Sequence, residues 1–223
     1  MKDGRMRNDE AVYGALKRIV HVLAAVALLG STPALSESRL VVAYGDSLTA
    51  GYGLKPAEAF PVQLESELRR EGIDVAVRNA GISGDTSAQG RARLGWVLGA
   101  LKRKPDLLIL ELGANDMLRG IDPSETRANL SAILDDLDRR KIPVLLAGMR
   151  AAPNMGADYR RHFDTIYPAL ARRHGVRLYP FFLAGVAGHR KLQLKDNMHP
   201  TGPGVAIIVR AIAPEVKAML DRR

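Results

Sequence analysis

The sequence predicts one doubly wound α/β domain built on a parallel sheet. Short, nearly continuous apolar runs recur along the chain, as expected of strands that are buried on both faces. Segments of helical periodicity lie between these runs and the joins are short, which is the order of a parallel sheet. With 223 residues, 47% of them hydrophobic, the chain can bury one sizeable core.

Five strands are predicted from the apolar runs. In chain order they are 40–44, 73–77, 107–112, 142–147 and 176–179. Gly45, Gly81 and Gly113 follow the first three runs and mark turns. Because ligands bind at the carboxyl ends of the strands in such sheets, the residues that follow each strand are the first place to look for chemistry.

Five helices are predicted between and after the strands. In chain order they are 60–71, 87–102, 123–137, 159–174 and 204–220. Gly72 and Gly175 follow the first and fourth of these segments, as glycine commonly does at a helix C-terminus. Pro123 suits the first turn of the third.

Residues 1–36 predict an export signal. Lys17 and Arg18 precede the apolar run 19–30, and small residues follow, with Ala34 and Ser36 suited to a cleavage site. The run is too short to span a bilayer comfortably. We therefore expect a signal peptide at 1–36, one folded domain at 37–223 and a periplasmic or secreted location.

The composition excludes several classes of site and partner. The absence of cysteine excludes disulfides, thiolate metal sites and a cysteine nucleophile. Aromatic residues make up only 5%, which argues against a stacking platform for nucleic acid. The formal charge of +9 is spread along the chain as solubilising charge, and a weak contact with an anionic membrane surface is an additional expectation.

A candidate nucleophile, Ser47, follows the first predicted strand in Gly45-Asp46-Ser47-Leu48. A serine at a strand-to-helix turn projects its hydroxyl, and its own N–H lies at a helix start, where donors lack partners. Taken alone, this motif is more often a turn with a capping serine. Thr49 departs from the Gly-x-Ser-x-Gly elbow of α/β-hydrolases. Asp46 is interpreted as a structural hydrogen-bonding residue of the turn and not as a base.

Two further polar positions follow the next strands. Gly84 lies in a glycine-rich turn after the second strand, where its backbone N–H is open to close approach by a substrate. Asn115 follows the third strand in Gly113-Ala114-Asn115-Asp116. Each is commonly only a turn residue. In a catalytic reading, the N–H groups of Ser47 and Gly84 and the amide of Asn115 form an oxyanion hole.

Asp196 and His199 stand just before the last predicted helix. Their spacing lets the carboxylate accept from one ring nitrogen while the other takes the proton of Ser47. The other histidines fit less well. His162 and His174 fall on a predicted helix, and His189 has no carboxylate close in sequence. The joint pattern predicts a Ser47-Asp196-His199 triad that needs no metal and no cofactor.

These motifs resemble the four blocks of the SGNH (GDSL) hydrolase family. The blocks correspond to Ser47 in its Gly-Asp-Ser-Leu motif, to Gly84, to Asn115 with Asp116, and to Asp196-x-x-His199. The resemblance covers residues 39–220. Within the family, the sequence is most similar to the bacterial branch of periplasmic thioesterase, lysophospholipase and arylesterase enzymes. It implies a three-layer, flavodoxin-like fold with a five-stranded parallel sheet, and hydrolysis of small acyl esters, thioesters or lysophospholipids.

Three alternatives stay open at this stage. A carbohydrate O-deacetylase of the same fold would have the same triad and a different pocket. A nucleotide- or flavin-binding module is disfavoured, because the chain lacks both Gly-x-Gly-x-x-Gly and the Walker lysine. A non-catalytic interaction protein on this fold is disfavoured by the complete set of motifs. The loops 117–121 and 149–156 are expected to border the acyl pocket.

Overall fold

The computed structural model describes residues 38–221, which contain a five-stranded sheet in which every pair of neighbouring strands is parallel. The strands are β1 (Arg39–Gly45), β2 (Val75–Gly81), β3 (Leu107–Glu111), β4 (Val144–Ala147) and β5 (Arg177–Tyr179). Their order is β2-β1-β3-β4-β5, which is the flavodoxin-like order. The predicted parallel sheet is confirmed.

Eight α-helices connect or follow these strands in the described part of the chain. They are α1 (Ser47–Ala50), α2 (Phe60–Arg70), α3 (Ser87–Gly99), α4 (Ala114–Leu118), α5 (Pro123–Arg139), α6 (Ala157–Asp164), α7 (Ile166–His174) and α8 (Gly202–Leu220). Short 3-10 helices lie at Pro56–Glu58, Pro153–Met155 and Arg190–Leu192.

The helices cover both faces of the sheet. Helices α2 and α8 pack on each other, and a second set is formed by α3, α5 and α7, of which α5 contacts both others. Every residue of β3 and β4 is buried, which explains why these strands read as unbroken apolar runs. The predicted three-layer α/β fold is confirmed.

The second strand was predicted with the wrong bounds. The backbone N–H of Ile73 donates to the carbonyl of Leu68, so this residue closes the end of α2 and does not belong to a strand. The strand instead continues through Arg78 and Asn79, which pair with β1. These polar residues are tolerated because β2 lies at the edge of the sheet, where its side chains reach solvent.

The helix predicted at 159–174 is two helices, α6 and α7, separated at Thr165. Pro168 explains the break, because proline has no N–H to donate to the carbonyl four residues earlier and its ring clashes with that carbonyl. The helix predicted to reach residue 102 ends at Gly99. The short helices α1 and α4 were not predicted.

The sheet register brings three strand ends to one level. Gly45, the last residue of β1, pairs with Gly81 of β2 on one side and with Glu111 of β3 on the other. The strand order reverses beside β1, and such switch points are where ligands bind in doubly wound sheets. The segments that carry Ser47, Gly84 and Asn115 therefore leave the sheet next to one another.

The predicted signal peptide at 1–36, and the exact start of the domain at residue 37, lie outside the described residues. Among residues 38–221, no helix is both long and apolar enough to cross a membrane.

Candidate active site

Ser47 is the first residue of α1, directly after the turn that ends β1. The helix is capped by Asp46, whose Oδ1 accepts the backbone N–H of Leu48 at 3.0 Å. Asp46 is thus the N-cap, as its interpretation as a structural turn residue requires, and Ser47 is not. The Ser47 side chain is left free to project from the helix start toward the loop that carries His199.

The loop before α8 presents His199 and Asp196. Leu194 donates its N–H to the carbonyl of His199 at 2.7 Å, and the amide of Gln193 donates to the carbonyl of Asn197 at 2.8 Å. Asn197 adopts a left-handed conformation, with φ of 57°. These contacts close the loop into a tight turn whose backbone is held on both sides.

The turn brings His199 and Asp196 to Ser47 on α1, and the three predicted triad residues form one hydrogen-bonded chain. His199 Nε2 lies 2.9 Å from Ser47 Oγ, and His199 Nδ1 lies 2.7 Å from Asp196 Oδ2. Both distances lie within the range expected of a nucleophile, its base and the group that orients the base. The ring of Tyr52 lies against that of His199, with centroids 4.5 Å apart.

The carboxylate of Asp196 is held by three hydrogen bonds. Its Oδ1 accepts the backbone N–H groups of Met198 and His199 at 2.9 and 3.0 Å, and its Oδ2 contacts the imidazole. Partial burial would raise the pKa of Asp196, but these hydrogen bonds and the nearby His199 ring together hold it below its usual value. Asp196 is therefore ionised and is suited to orient the imidazole of His199.

The backbone N–H groups of Ser47 and Gly84 lie at the same cavity. Among the hydrogen bonds of residues 38–221, none is donated by the N–H of Ser47 or of Gly84. Gly84 has a φ of 88°, which a side chain would strain. Its carbonyl accepts a hydrogen bond from Arg119 Nη2 at 2.8 Å, which holds the peptide in place. Unpaired donors of this kind are what an oxyanion requires.

Asn115 occupies the second position of α4, beside the same cavity. Its Nδ2 donates to Asp46 Oδ2 and to the backbone carbonyl of Asp85, both at 3.0 Å. The amide nitrogen therefore lies between Asp46 and the loop that carries Gly84. In this structure both of its protons have acceptors, so an oxyanion would have to replace one of them.

A cavity of about 590 Å³ opens at these groups. Ser47, Gly84, Asn115 and His199 line it, together with a mostly apolar wall. The wall includes side chains of both predicted loops and of the segment after β5: Met117, Leu118, Met149, Ala151, Phe181 and Leu183. The volume and the apolar lining suit a small ligand with a hydrocarbon portion.

A second serine–histidine contact lies elsewhere in the fold. Ser131 Oγ lies 2.9 Å from His174 Nε2, and His174 Nδ1 lies 3.6 Å from Asp135. Neither Ser131 nor His174 lines the cavity, and Ser131 lies in the middle of α5, where its N–H belongs to the helix. This set has the side chains of a triad but lies away from the cavity.

A buried ion pair that was not predicted from the sequence lies next to Gly84. Arg93 Nε lies 2.5 Å from Asp85 Oδ2, and the side chains are only 13% and 9% exposed. The same guanidinium donates to the carbonyls of Ala80 and Gly45, each at 2.9 Å, and lies over the ring of Tyr44. Arg93 thus ties the ends of β1 and β2 to the loop of Gly84, and no local spacing signals it.

A buried carboxyl pair lies behind Ser47. Glu111 Oε2 accepts the hydroxyl of Thr49 at 2.8 Å and the N–H of Asp46 at 3.3 Å, while Oε1 has no partner among the described residues. A side chain at Gly45 would occupy the space of this carboxyl, which explains the glycine. Both acids are fully buried. The sequence carried a signal for this pair, because Glu111 interrupts an otherwise apolar run.

Burial governs the titration of both acids. It raises the pKa of Asp46 to about 6, although the Leu48 N–H, His199 and Asn115 oppose the rise. It raises the pKa of Glu111 far above its ordinary value of 4.5, and the charge of Asp46 adds to the effect. Glu111 is therefore the neutral member of the pair at neutral pH.

A neutral Glu111 predicts that wild-type stability depends on pH in a way that Glu111→Gln removes. Above pH 4.5 the unfolded chain loses the Glu111 proton while the folded chain keeps it, so wild-type stability falls as pH rises. The slope is about 1.4 kcal/mol per pH unit. Glutamine removes this term, so the variant should gain stability relative to wild type between about pH 5 and 7.

Urea unfolding at several pH values measures the effect. Glu67→Gln is the control, because the hydrogen bond from Arg70 holds the pKa of Glu67 low and both states are ionised in this window. Parallel stability curves for wild type and Glu111→Gln would contradict a neutral Glu111.

Comparison with known proteins gives a consistent result. Residues 43–207 match the GDSL-like lipase/acylhydrolase family. Esterase TesA of Pseudomonas aeruginosa is 37% identical over 84% of this chain and 91% of its own length. Thioesterase 1/protease 1/lysophospholipase L1 of Escherichia coli K12 is 34% identical over 87% of this chain and 90% of its own length. The crystal structure of AlinE4, an SGNH-hydrolase family esterase, is 52% identical, covers 83% of this chain and 98% of its own, and has a TM-score of 0.71.

Proposed function

Because the chain belongs to the GDSL-like lipase/acylhydrolase family, we propose that it is a serine hydrolase of carboxylic esters that works through an acyl-enzyme. One observation carries the proposal. The Ser47–His199–Asp196 chain of hydrogen bonds ends at an apolar cavity, beside two backbone N–H groups that have no acceptor within residues 38–221. A nucleophile with its base and a place for negative charge are the two requirements of acyl transfer.

In the first half-reaction, Ser47 Oγ attacks the acyl carbonyl carbon and His199 Nε2 takes the hydroxyl proton. Asp196 stabilises the imidazolium and keeps its ring in place. The carbonyl oxygen becomes an oxyanion that accepts hydrogen bonds from Ser47 and Gly84. When the C–O or C–S bond breaks, His199 gives its proton to the leaving alkoxide or thiolate. Water then attacks the acyl-enzyme by the same route and restores the serine.

Asn115 is the third oxyanion donor in this proposal. One of its two amide protons faces the backbone carbonyl of Asp85, which lies on the loop that also carries Gly84. We infer that the oxyanion takes this proton. An oxyanion is a stronger acceptor than a neutral carbonyl, so the exchange favours the transition state over the ground state.

The apolar wall of the cavity supports an acyl chain as the bound part of the substrate. Met117, Leu118, Met149, Phe181 and Leu183 offer hydrocarbon and aromatic surface and no charge. Aryl esters, acyl thioesters and lysophospholipids share this requirement, and the names of the relatives include esterase, thioesterase and lysophospholipase. A carbohydrate O-deacetylase, which must bind a polar sugar, is less well served by such a wall.

The location of the enzyme is also proposed from its sequence. The order of basic, apolar and small residues within 1–36 supports a signal peptide, a hydrolase domain at 37–223 and a periplasmic or secreted enzyme. The formal charge of +9 supports a weak contact with anionic membrane surfaces.

Substrate kinetics test the proposed function. The purified protein is assayed on p-nitrophenyl esters of increasing acyl length, an acyl thioester, a lysophospholipid and an O-acetylated glycan. We expect turnover of the acyl substrates and covalent labelling of Ser47 by a fluorophosphonate, located by peptide mass spectrometry. Turnover of the acetylated glycan alone would favour the O-deacetylase. A protein that neither turns over any of these substrates nor takes the label is not the proposed enzyme.

A further inference from the structure

Asp46 contacts the side-chain amide of Asn115, and Glu111 contacts the backbone of Asp46. Neither acid lines the cavity, and the proposed mechanism assigns them no step. We propose that they form a buried acid pair with a single charge, held on Asp46, which aims the side-chain amide of Asn115 at the oxyanion. Asp46 is the positioning residue, since it holds Asn115 without touching the substrate, and Glu111 is the neutral acid beside it. This proposal rests on the ester hydrolysis proposed above.

The donors around Asp46 require two acceptor oxygens. Its Oδ1 accepts the N–H of Leu48 and caps α1, while its Oδ2 accepts from Asn115 Nδ2. A carboxylate accepts at both oxygens, whereas an amide has one acceptor oxygen and a nitrogen that only donates. An uncharged amide at position 46 would therefore have to give up either the helix cap or Asn115.

The surroundings of Glu111 differ in this respect. Both of its donors, the hydroxyl of Thr49 and the N–H of Asp46, converge on Oε2, and Oε1 has no partner among residues 38–221. One acceptor oxygen is enough to serve this arrangement, so a neutral side chain fits it as well as a charged one. Glu111 holds the backbone at Asp46, from which the side chain reaches Asn115.

The charged and titratable neighbours agree with one negative charge at Asp46. His199 and the amide of Asn115 face Asp46 and favour its anion, and Glu111 is the acid beside it. Glu111 is faced by Asp46 and by Tyr167, whose hydroxyl donates to the carbonyl of Leu112. Two adjacent carboxylates in a buried site repel, so one of them keeps its proton.

The charge on Asp46 gives Asn115 a fixed and a free proton. Its hydrogen bond to the Asp46 carboxylate is charge-assisted and stronger than the one to the neutral carbonyl of Asp85. When an oxyanion forms, the weaker bond exchanges and the stronger one keeps the amide in place. The amide then enters the transition state already oriented, which is the arrangement that lowers a barrier at little cost.

Isosteric substitutions separate the two acids. Asp46→Asn should lower kcat on a p-nitrophenyl ester by about 10- to 100-fold and leave KM within about 2-fold, because the amide acts on the transition state. Glu111→Gln should keep kcat within about 3-fold of wild type, since one acceptor oxygen suffices there. Asp46→Ser, which also caps a helix but cannot hold Asn115, is a second variant in case Asp46→Asn does not fold.

A double-mutant cycle tests whether Asp46 acts through Asn115. Asn115→Ala alone should lower kcat by roughly 10² to 10³, and adding Asp46→Asn should cost little more. Wild-type kcat in the folded Asp46 variants would overturn the proposal, and so would fully additive losses in the cycle. A loss in Glu111→Gln as large as that in Asp46→Asn would also overturn it. Failure of the proposed function is distinguishable, because it would appear as absent ester turnover in the wild type.

Infrared difference spectroscopy reads the charge directly. At neutral pH the spectrum of wild type minus Glu111→Gln should contain the C=O stretch of a protonated carboxylic acid, and wild type minus Asp46→Asn should contain only carboxylate bands. The reverse assignment, or two carboxylates, would overturn the placement of the charge.

Discussion

Ser47→Ala should reduce kcat on acyl esters by roughly 10⁴- to 10⁶-fold, which is the largest effect we expect of any single substitution. The change removes the protein atom that bonds to the acyl carbon in the proposed mechanism. The backbone N–H of residue 47, Gly84 and Asn115 remain, so slow hydrolysis by water can persist.

The fold should survive this change. Asp46, and not Ser47, caps α1, and the Ser47 hydroxyl hydrogen-bonds to His199 at 2.9 Å, its one side-chain partner among residues 38–221. The expected cost in unfolding free energy is about 1 kcal/mol.

Ser131→Ala is the matched control. Ser131 makes the same 2.9 Å contact with a histidine Nε2 and has an acid nearby, but it does not line the cavity. The variant should keep wild-type kcat and KM. Steady-state kinetics on one p-nitrophenyl ester compares the two variants, and activity near wild type in Ser47→Ala, or a collapse in Ser131→Ala, would refute the assignment of the nucleophile.

Arg93→Ala should lower the free energy of unfolding by about 3–5 kcal/mol, the cost of leaving a buried charge without its partner. Asp85 would lose its cation, and the carbonyls of Gly45 and Ala80 would lose their donor. The cation–π contact with Tyr44, 4.2 Å from the ring centroid, would also be lost. Loosened ends of β1 and β2 should lower kcat as well, because they carry Ser47 and the loop of Gly84.

Arg91→Ala, on the same helix, is the control for this prediction. Arg91 is exposed and makes a long contact of 3.4 Å with Asn129, so its loss should change stability by no more than about 0.5 kcal/mol. Urea unfolding measures both variants. The double variant Arg93→Ala with Asp85→Ala should recover part of the loss, since no unpaired charge remains. Equal stabilities of Arg93→Ala and Arg91→Ala would show that the ion pair does not hold the site together.

The sequence by itself determined the fold class and predicted the residues of the proposed triad. The apolar runs predicted buried parallel strands, because strands covered on both faces cannot alternate with polar residues. Asp196 and His199 were predictable as a pair because they are three positions apart on a tight turn, which brings their side chains together without help from the rest of the fold. Ser47, Gly84 and Asn115 were predictable because parallel strands end at one edge of the sheet.

Element bounds were harder to predict where local patterns competed with tertiary contacts. Ile73 reads as the start of a strand but closes α2, and the polar end of β2 is a strand only because β1 pairs with it. The break between α6 and α7 could have been predicted from Pro168, whose effect on a helix is local.

Only the tertiary structure decided what supports the catalytic groups. Asp46 meets Asn115 across 69 residues of chain, Glu111 meets Asp46 across 65, and Arg93 meets Gly45 across 48. These contacts depend on the register in which Gly45 pairs with Gly81 and Glu111, which no local pattern encodes. The proposed nucleophile and its base could therefore be predicted from residue types and order, whereas the contacts that support the proposed oxyanion site became visible only once the strands were paired.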